Sequence, residues 1–165
     1  MKTSMAPEAL LPGPIVVGLD GSTGSRGALE LAITLARAAH AEVIAVHVAH
    51  LVHYAPALYG LEPTPPTPAE WRPDLEAKFQ SEWCEPLHTS GLRYQMVFAE
   101  GRPAPTLIEV ARKHRASMLA VGSRGAGGFN ELLLGSVSHQ LVTHAAVPVL
   151  VVPTADDPPP ASAAS

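Results

Sequence analysis

Met118-Leu119-Ala120-Val121-Gly122-Ser123-Arg124-Gly125-Ala126-Gly127-Gly128-Phe129-Asn130-Glu131-Leu132-Leu133-Leu134-Gly135-Ser136 is the stretch whose pattern settles the fold class. Its first residues form an apolar run without polar alternation, glycines then interrupt it, and a helix is expected from Ser136. A strand of that composition needs cover on both faces, which is the situation of a parallel sheet in an α/β fold. Downstream, Val149-Leu150-Val151-Val152 reads as another such strand. Upstream, Leu107, Val110 and Ala111 share one helical face, and Arg93 to Phe98 alternates as a strand. Leu75, Phe79 and Trp83 lie four apart on a helix that Pro86 is expected to kink or end. Nearest the start, the strand Ile15 to Leu19 is followed by Ala28, Leu31, Ala32, Leu35 and Ala39 at helical spacing, then by the strand Val43 to Val48. Five strands thus alternate with four helices, predicting a single doubly wound parallel sheet with helices on both faces.

Composition bounds the rest. A chain of 165 residues is one domain's worth, and 47% hydrophobic against 16% charged residues supplies a core. Eleven Lys and Arg against 15 Asp and Glu give a net charge of −4, without the basic surplus of a nucleic-acid binder. The longest nearly unbroken apolar stretch, Ala145 to Val152, is far short of the roughly 20 residues that span a bilayer. The single Cys84 has no intramolecular disulfide partner, and Met1-Lys2-Thr3-Ser4 leads into no apolar segment of signal-peptide type, so a cytoplasmic location is expected. Residues 1–13 read as a flexible segment, 14–153 as the domain and 154–165 as a disordered tail. Within the domain, residues from about 50 to 73 read as a proline-rich loop, with prolines at 56, 63, 65, 66, 68 and 73.

Ligands of an open parallel sheet bind beyond the carboxyl ends of its strands, where strand order reverses. Two segments have suitable chemistry. Leu19-Asp20-Gly21-Ser22 puts a carboxylate at the end of the first strand and a helix cap after it. The glycine-rich loop ends at Gly135-Ser136, where backbone N–H groups and the positive end of a helix suit phosphate. The dipole alone contributes roughly 0.3–1 kcal/mol, so Arg124 and several backbone donors must converge with it. Taken singly, each feature has an ordinary reading: Gly122 and Gly125 as a turn, Ser136 as a cap, Arg124 as a solvated charge. Neither a P-loop nor a dinucleotide fingerprint is present, because Asn130 stands where the third glycine of the latter belongs.

The spacing Gly122-x2-Gly125-x9-Gly135-Ser136, followed by Pro148-Val149-Leu150-Val151-Val152, resembles the ATP-binding branch of the universal stress protein family. Val16-Val17-Gly18-Leu19-Asp20-Gly21-Ser22 is similar to that family's first strand and turn. The resemblance covers about residues 13–153 and implies strand order 3-2-1-4-5, ATP across the first and fourth strand ends, with or without Mg, and dimers joined through the fifth strand. By position it implies that Leu19 and Asp20 border base and ribose, that Val48 meets adenine through its main chain, and that Val121 and Gly122 line the nucleotide. Arg124 and Gly125 would reach the phosphates, which Gly135, Ser136 and Val137 would hold from the helix start. An ATP-binding regulatory module is therefore expected, homodimeric through Val149–Val152, whose apolar edge invites a partner strand. The alternative is a slow ATP hydrolase or phosphotransferase in the same pocket, for which the loop offers only Asn130 and Glu131 beside the phosphates. That thin supply favours binding over catalysis.

Other residues read plainly. His47, His50 and His53 are spaced by three, but they start on a strand and leave it, so they share no face and no metal is expected. No Ser–His or Cys–His pairing supports a nucleophile, and Cys84 reads as packed, with no positive charge nearby to activate it. An adenylating enzyme would need a Ser-Gly-Gly-x-Asp-Ser loop after the first strand, where this chain has Asp20-Gly21-Ser22-Thr23-Gly24-Ser25.

Overall fold

Aliphatic and β-branched residues build the strands β1 (Ile15–Gly18), β2 (Val43–Ala49), β3 (Tyr94–Glu100), β4 (Met118–Gly122) and β5 (Val149–Val152). The computed structural model describes residues 11–50, 67–125 and 134–154. All neighbouring strands pair in parallel, in the order β3-β2-β1-β4-β5, as the resemblance implies. From β1 the chain proceeds to β2 and β3 on one side, then returns to place β4 and β5 on the other. The crevice between the carboxyl ends of β1 and β4 is therefore the point where strand order reverses.

Alternate side chains of β1 enter different cores, which is why its residues read as an unbroken apolar run. Ile15 and Val17 pack with Leu29, Ala32, Phe79 and Leu87 on one face. Val16 packs with Ile44, Leu107, Leu119 and Leu141 on the other. Helix α1 (Thr23–Ala39) covers the first face, together with a π-helical turn (Phe79–Trp83), which continues from α2 (Pro68–Lys78), and α3 (Glu85–His88). Helices α4 (Pro103–Lys113) and α5 (Ser136–His144) cover the second. Ser22 caps α1 as expected, its Oγ accepting from the Ser25 amide at 3.2 Å, and the helix ends where His40 turns left-handed at φ 54°.

The third connection corrects the sequence reading in two places. The stretch expected to remain loop as far as residue 73 is helical from Pro68. Proline is well suited to a helix's first turn, and the Glu70 carboxylate reaches back to accept from the Thr67 amide at 2.6 Å and hydroxyl at 3.0 Å. Pro73 is carried inside the helix. Nor is Pro86 where the helix breaks. The α geometry gives way earlier, at Phe79, where the Cys84 amide bonds the Phe79 carbonyl at 3.1 Å, and Pro86 sits in the first turn of α3. Strand β3 also continues two residues past Phe98. Residues 1–10, 51–66, 126–133 and 155–165, which include His53, Asn130, Glu131 and nearly all of the tail, lie outside the described residues.

The π-helical turn lowers Phe79 into the first core, where it is fully buried, beside an equally buried Cys84 whose thiol burial pushes up to about 12. Cys84 is thus packed and unreactive. Truncation of Phe79 to alanine is expected to destabilise the protein by about 3–5 kcal/mol, read as a lowered urea midpoint with an unchanged m-value.

Candidate functional site

The end of β4 lies directly on the start of α1. A Cβ at Gly122 would come within 2.6 Å of the Gly24 carbonyl carbon and 2.9 Å of the Ser25 nitrogen, so only glycine fits there. Gly122, expected to line a ligand, is thus held by helix–strand packing. Next, Ser123 ties the surroundings together. Its amide donates to the Val152 carbonyl at 2.8 Å, while its carbonyl accepts from the Gly135 amide at 2.7 Å and the Ser138 hydroxyl at 2.8 Å. Both ends of the glycine-rich loop are therefore fastened to one buried residue, which holds β5 and the first turn of α5 in register with β4.

That fastening brings the motif glycines together across the loop. A Cβ at Gly135 would lie 3.3 Å from the Ser123 carbonyl oxygen and 3.7 Å from the Gly125 nitrogen. Gly135 is also the N-cap of α5 and supplies no side-chain cap to its first turn. Gly125 faces β1 instead: a Cβ there would meet Asp20 Oδ2 at 2.7 Å. A side chain at Gly125 would thus displace a neighbouring carboxylate, while its backbone makes no demand for glycine, since the glycines with positive φ are 21, 91 and 101 among the described residues.

Asp20 is oriented by its own turn. Its Oδ1 accepts from the Ser22 amide at 3.0 Å and hydroxyl at 2.6 Å, leaving Oδ2 turned toward Gly125. Leu19 is buried, its amide donating to the Val46 carbonyl at 2.8 Å and its carbonyl meeting His47 Nδ1 at 2.7 Å. Val48 and Val121 are buried in the second core and Val137 packs against it, so their side chains are engaged in the core and only their backbone is left to meet a ligand. Arg124 is half-buried, and Gly125 and Ser136 are exposed at the mouth. The structure thus gathers Leu19, Asp20, Val121, Gly122, Arg124, Gly125, Gly135, Ser136 and Val137 around the crevice, with Val48 one strand away at the end of β2.

Sequence reasoning missed Ser123, Ser138, His47 and Trp83. Ser123 and Ser138 carry no signal of their own, because their value lies in contacts between β4, β5 and α5. His47 does leave a trace, as the one polar side chain in the apolar run of β2. Burial pushes its imidazole below the ordinary value of 6.5, opposed by the Leu19 carbonyl and the Asp20 carboxylate. Among the described residues, no three His, Cys, Asp or Glu side chains cluster as a metal site, and no helix is long and apolar enough to cross a membrane.

With this geometry in view, comparison with known proteins decides the family. The sequence model of the universal stress protein family matches residues 13–153. The chain belongs to that family. Universal stress protein YxiE of Bacillus subtilis is 30% identical over 146 residues, which cover 84% of this chain and 97% of that protein. Among solved structures, a universal stress protein in complex with cAMP aligns with a TM-score of 0.64 at 24% identity, covering 86% of this chain and 97% of that one. A family member from Arabidopsis thaliana with AMP bound aligns with a TM-score of 0.60 at 20% identity, covering 92% and 98% of the two chains. At these identities the structures establish a shared fold.

The His47 imidazole supplies a stability prediction. Its pKa is lower folded than unfolded, so the unfolded chain takes up the proton first as pH falls below 6.5. Stability is therefore expected to fall with decreasing pH from 6.5 until the folded form also protonates, with a slope of at most about 1.4 kcal/mol per pH unit from this residue. Urea unfolding of wild type and His47→Asn between pH 7.5 and 5 should isolate that contribution as the difference between the two curves, flattened in the variant.

Proposed function

We propose that this universal stress protein is a cytoplasmic adenine-nucleotide-binding regulatory module, with ATP as its ligand, that binds the nucleotide without fast turnover. The observation that carries the reading is the cradle at the switch point. Gly125 and Gly135 adjoin each other; a side chain on Gly125 would meet the Asp20 carboxylate at 2.7 Å, and one on Gly135 would crowd the Ser123 carbonyl at 3.3 Å. Backbone without side chains, at the start of a helix whose cap is glycine, suits phosphate. The Asp20 oxygen on the Gly125 side suits a hydroxyl donor such as ribose, or a Mg ion accompanying the phosphates. Structures of the same fold hold cAMP and AMP, which supports an adenine nucleotide as the ligand class.

In this reading Arg124 and Gly125 meet the phosphates, the first turn of α5 at Gly135, Ser136 and Val137 holds them, and Leu19, Asp20 and the Val48 backbone border the nucleoside. Val121 and Gly122 form the floor between the two. Strand β5 is an edge of the sheet whose residues are partly exposed. An apolar edge of that kind is satisfied by a second copy, so the reading includes a homodimer through Val149–Val152.

Two measurements check it. In calorimetric titrations Gly125→Val should abolish most ATP affinity while circular dichroism stays unchanged, and Arg124→Ala should weaken ATP more than adenosine, by about 1.5–3 kcal/mol for the lost charge-assisted contact. Wild-type affinity in a folded Gly125→Val protein would overturn the phosphate assignment. Light scattering at micromolar concentration should give the dimer mass, and Val151→Lys on the β5 edge should shift it to monomer; a monomeric wild type would remove the dimer from the reading.

A further inference from the structure

We infer that His47 is a positioning residue of the proposed site: its Nδ1–H holds the Leu19 carbonyl at the end of β1 and so sets the turn Leu19-Asp20-Gly21 on which the nucleoside half of the ligand rests. This inference rests on the adenine-nucleotide reading above. Its first support is the hydrogen bond itself. A carbonyl only accepts, so the 2.7 Å contact with Leu19 places the ring proton on Nδ1 and the lone pair on Nε2. Nε2 is buried with no hydrogen-bond partner among the described residues, in a residue only 5% exposed. An orphaned acceptor costs stability on a face of β2 that an aliphatic residue would fill without penalty. The ring is thus a poor choice for the core alone, and the bond made by its other nitrogen accounts for it.

The second support is how firmly the ring and the turn are clamped. Phe79, Trp83 and Phe98 surround the imidazole with centroids at 6.0, 4.9 and 5.4 Å, Trp83 meeting it edge-on. Trp83 then continues onto the turn: a Cβ at Gly21 would lie 2.6 Å from its Cζ2 and 3.0 Å from its Nε1, and Gly21 has φ +80°. The turn is therefore fastened on both sides of Asp20, at Leu19 by His47 and at Gly21 by Trp83. Two of the clamping rings come from the π-helical turn, which carries Phe79 and Trp83 at its first and last positions. The phosphate cradle, by contrast, is built by β4 and α5, so loosening this turn should weaken nucleoside and nucleotide alike.

The test is calorimetric titration of ATP and of adenosine into wild type, His47→Leu and His47→Asn, with the imidazole ¹⁵N shifts of wild type measured alongside. Loss of one buried hydrogen bond in His47→Leu should weaken both ligands by the same factor, about tenfold. His47→Asn, whose side-chain amide occupies the place of Nδ1, should restore wild-type affinity, and the ¹⁵N shifts should put the proton on Nδ1. If His47→Leu does not fold, His47→Gln carries its amide one bond farther out and should show the same loss. Unchanged affinity in the Leu or Gln variant, equal losses in Leu and Asn, or a proton on Nε2 would each overturn the positioning role. A wild type that binds neither ligand would instead overturn the nucleotide reading, while the ¹⁵N shifts still decide the Leu19 bond.

Discussion

The contact between Gly122 and the Gly24–Ser25 backbone is the constraint on which the rest of this structure depends. Strand β4 must reach its carboxyl end flush against the first turn of α1, because β1 and β4 pair directly and α1 leaves from the end of β1. With no side chain between them, the two strand ends and the helix start converge on one small volume. A crevice at a reversal of strand order is general to the fold class. What is particular here is that glycine at 122 lets the end of β4 approach the backbone of the α1 start directly.

From that contact the chain leads at once to Ser123, where one buried residue joins three elements through its main chain. Its amide extends the pairing with β5, and its carbonyl gathers the Gly135 amide and the Ser138 hydroxyl. The Ser138 hydroxyl also contacts the Gly135 carbonyl at 2.9 Å, so the first turn of α5 is braced from within. Backbone donors at a helix start contribute modestly one by one, and rigidity of this kind is what allows several to act together.

The opposite wall is built by aromatic packing. The π-helical turn places Phe79 and Trp83 on one side of the sheet, where both pack on His47 and Trp83 presses on Gly21. This wall joins a segment far along the chain to the turn after β1, and it is the part of the site least like an independent loop. It also couples the fold's interior to its mouth, since the imidazole that touches Leu19 is itself walled in by core residues.

The sequence by itself determined the fold class, because strands buried on both faces must be apolar throughout and helices must show their period, whatever surrounds them. The strands read at Ile15–Leu19, Val43–Val48, Met118–Val121 and Val149–Val152 were legible for that reason, each within one residue of its observed end, and the glycine spacing marked the segment that opens α5. Strand order followed from resemblance alone, since no local pattern states which strands are neighbours. The start of α2 at Pro68 was obscured by prolines that a first helical turn accommodates, and the break at Phe79 was not legible because a π-helical turn answers to packing rather than to propensity. Only the tertiary structure decided that Gly125 answers to Asp20, that Ser123 holds both ends of its loop, and that His47 bonds Leu19. Each of those relations joins residues distant in the chain and has main-chain atoms on at least one side, which every residue carries alike, and so no side-chain pattern announces it.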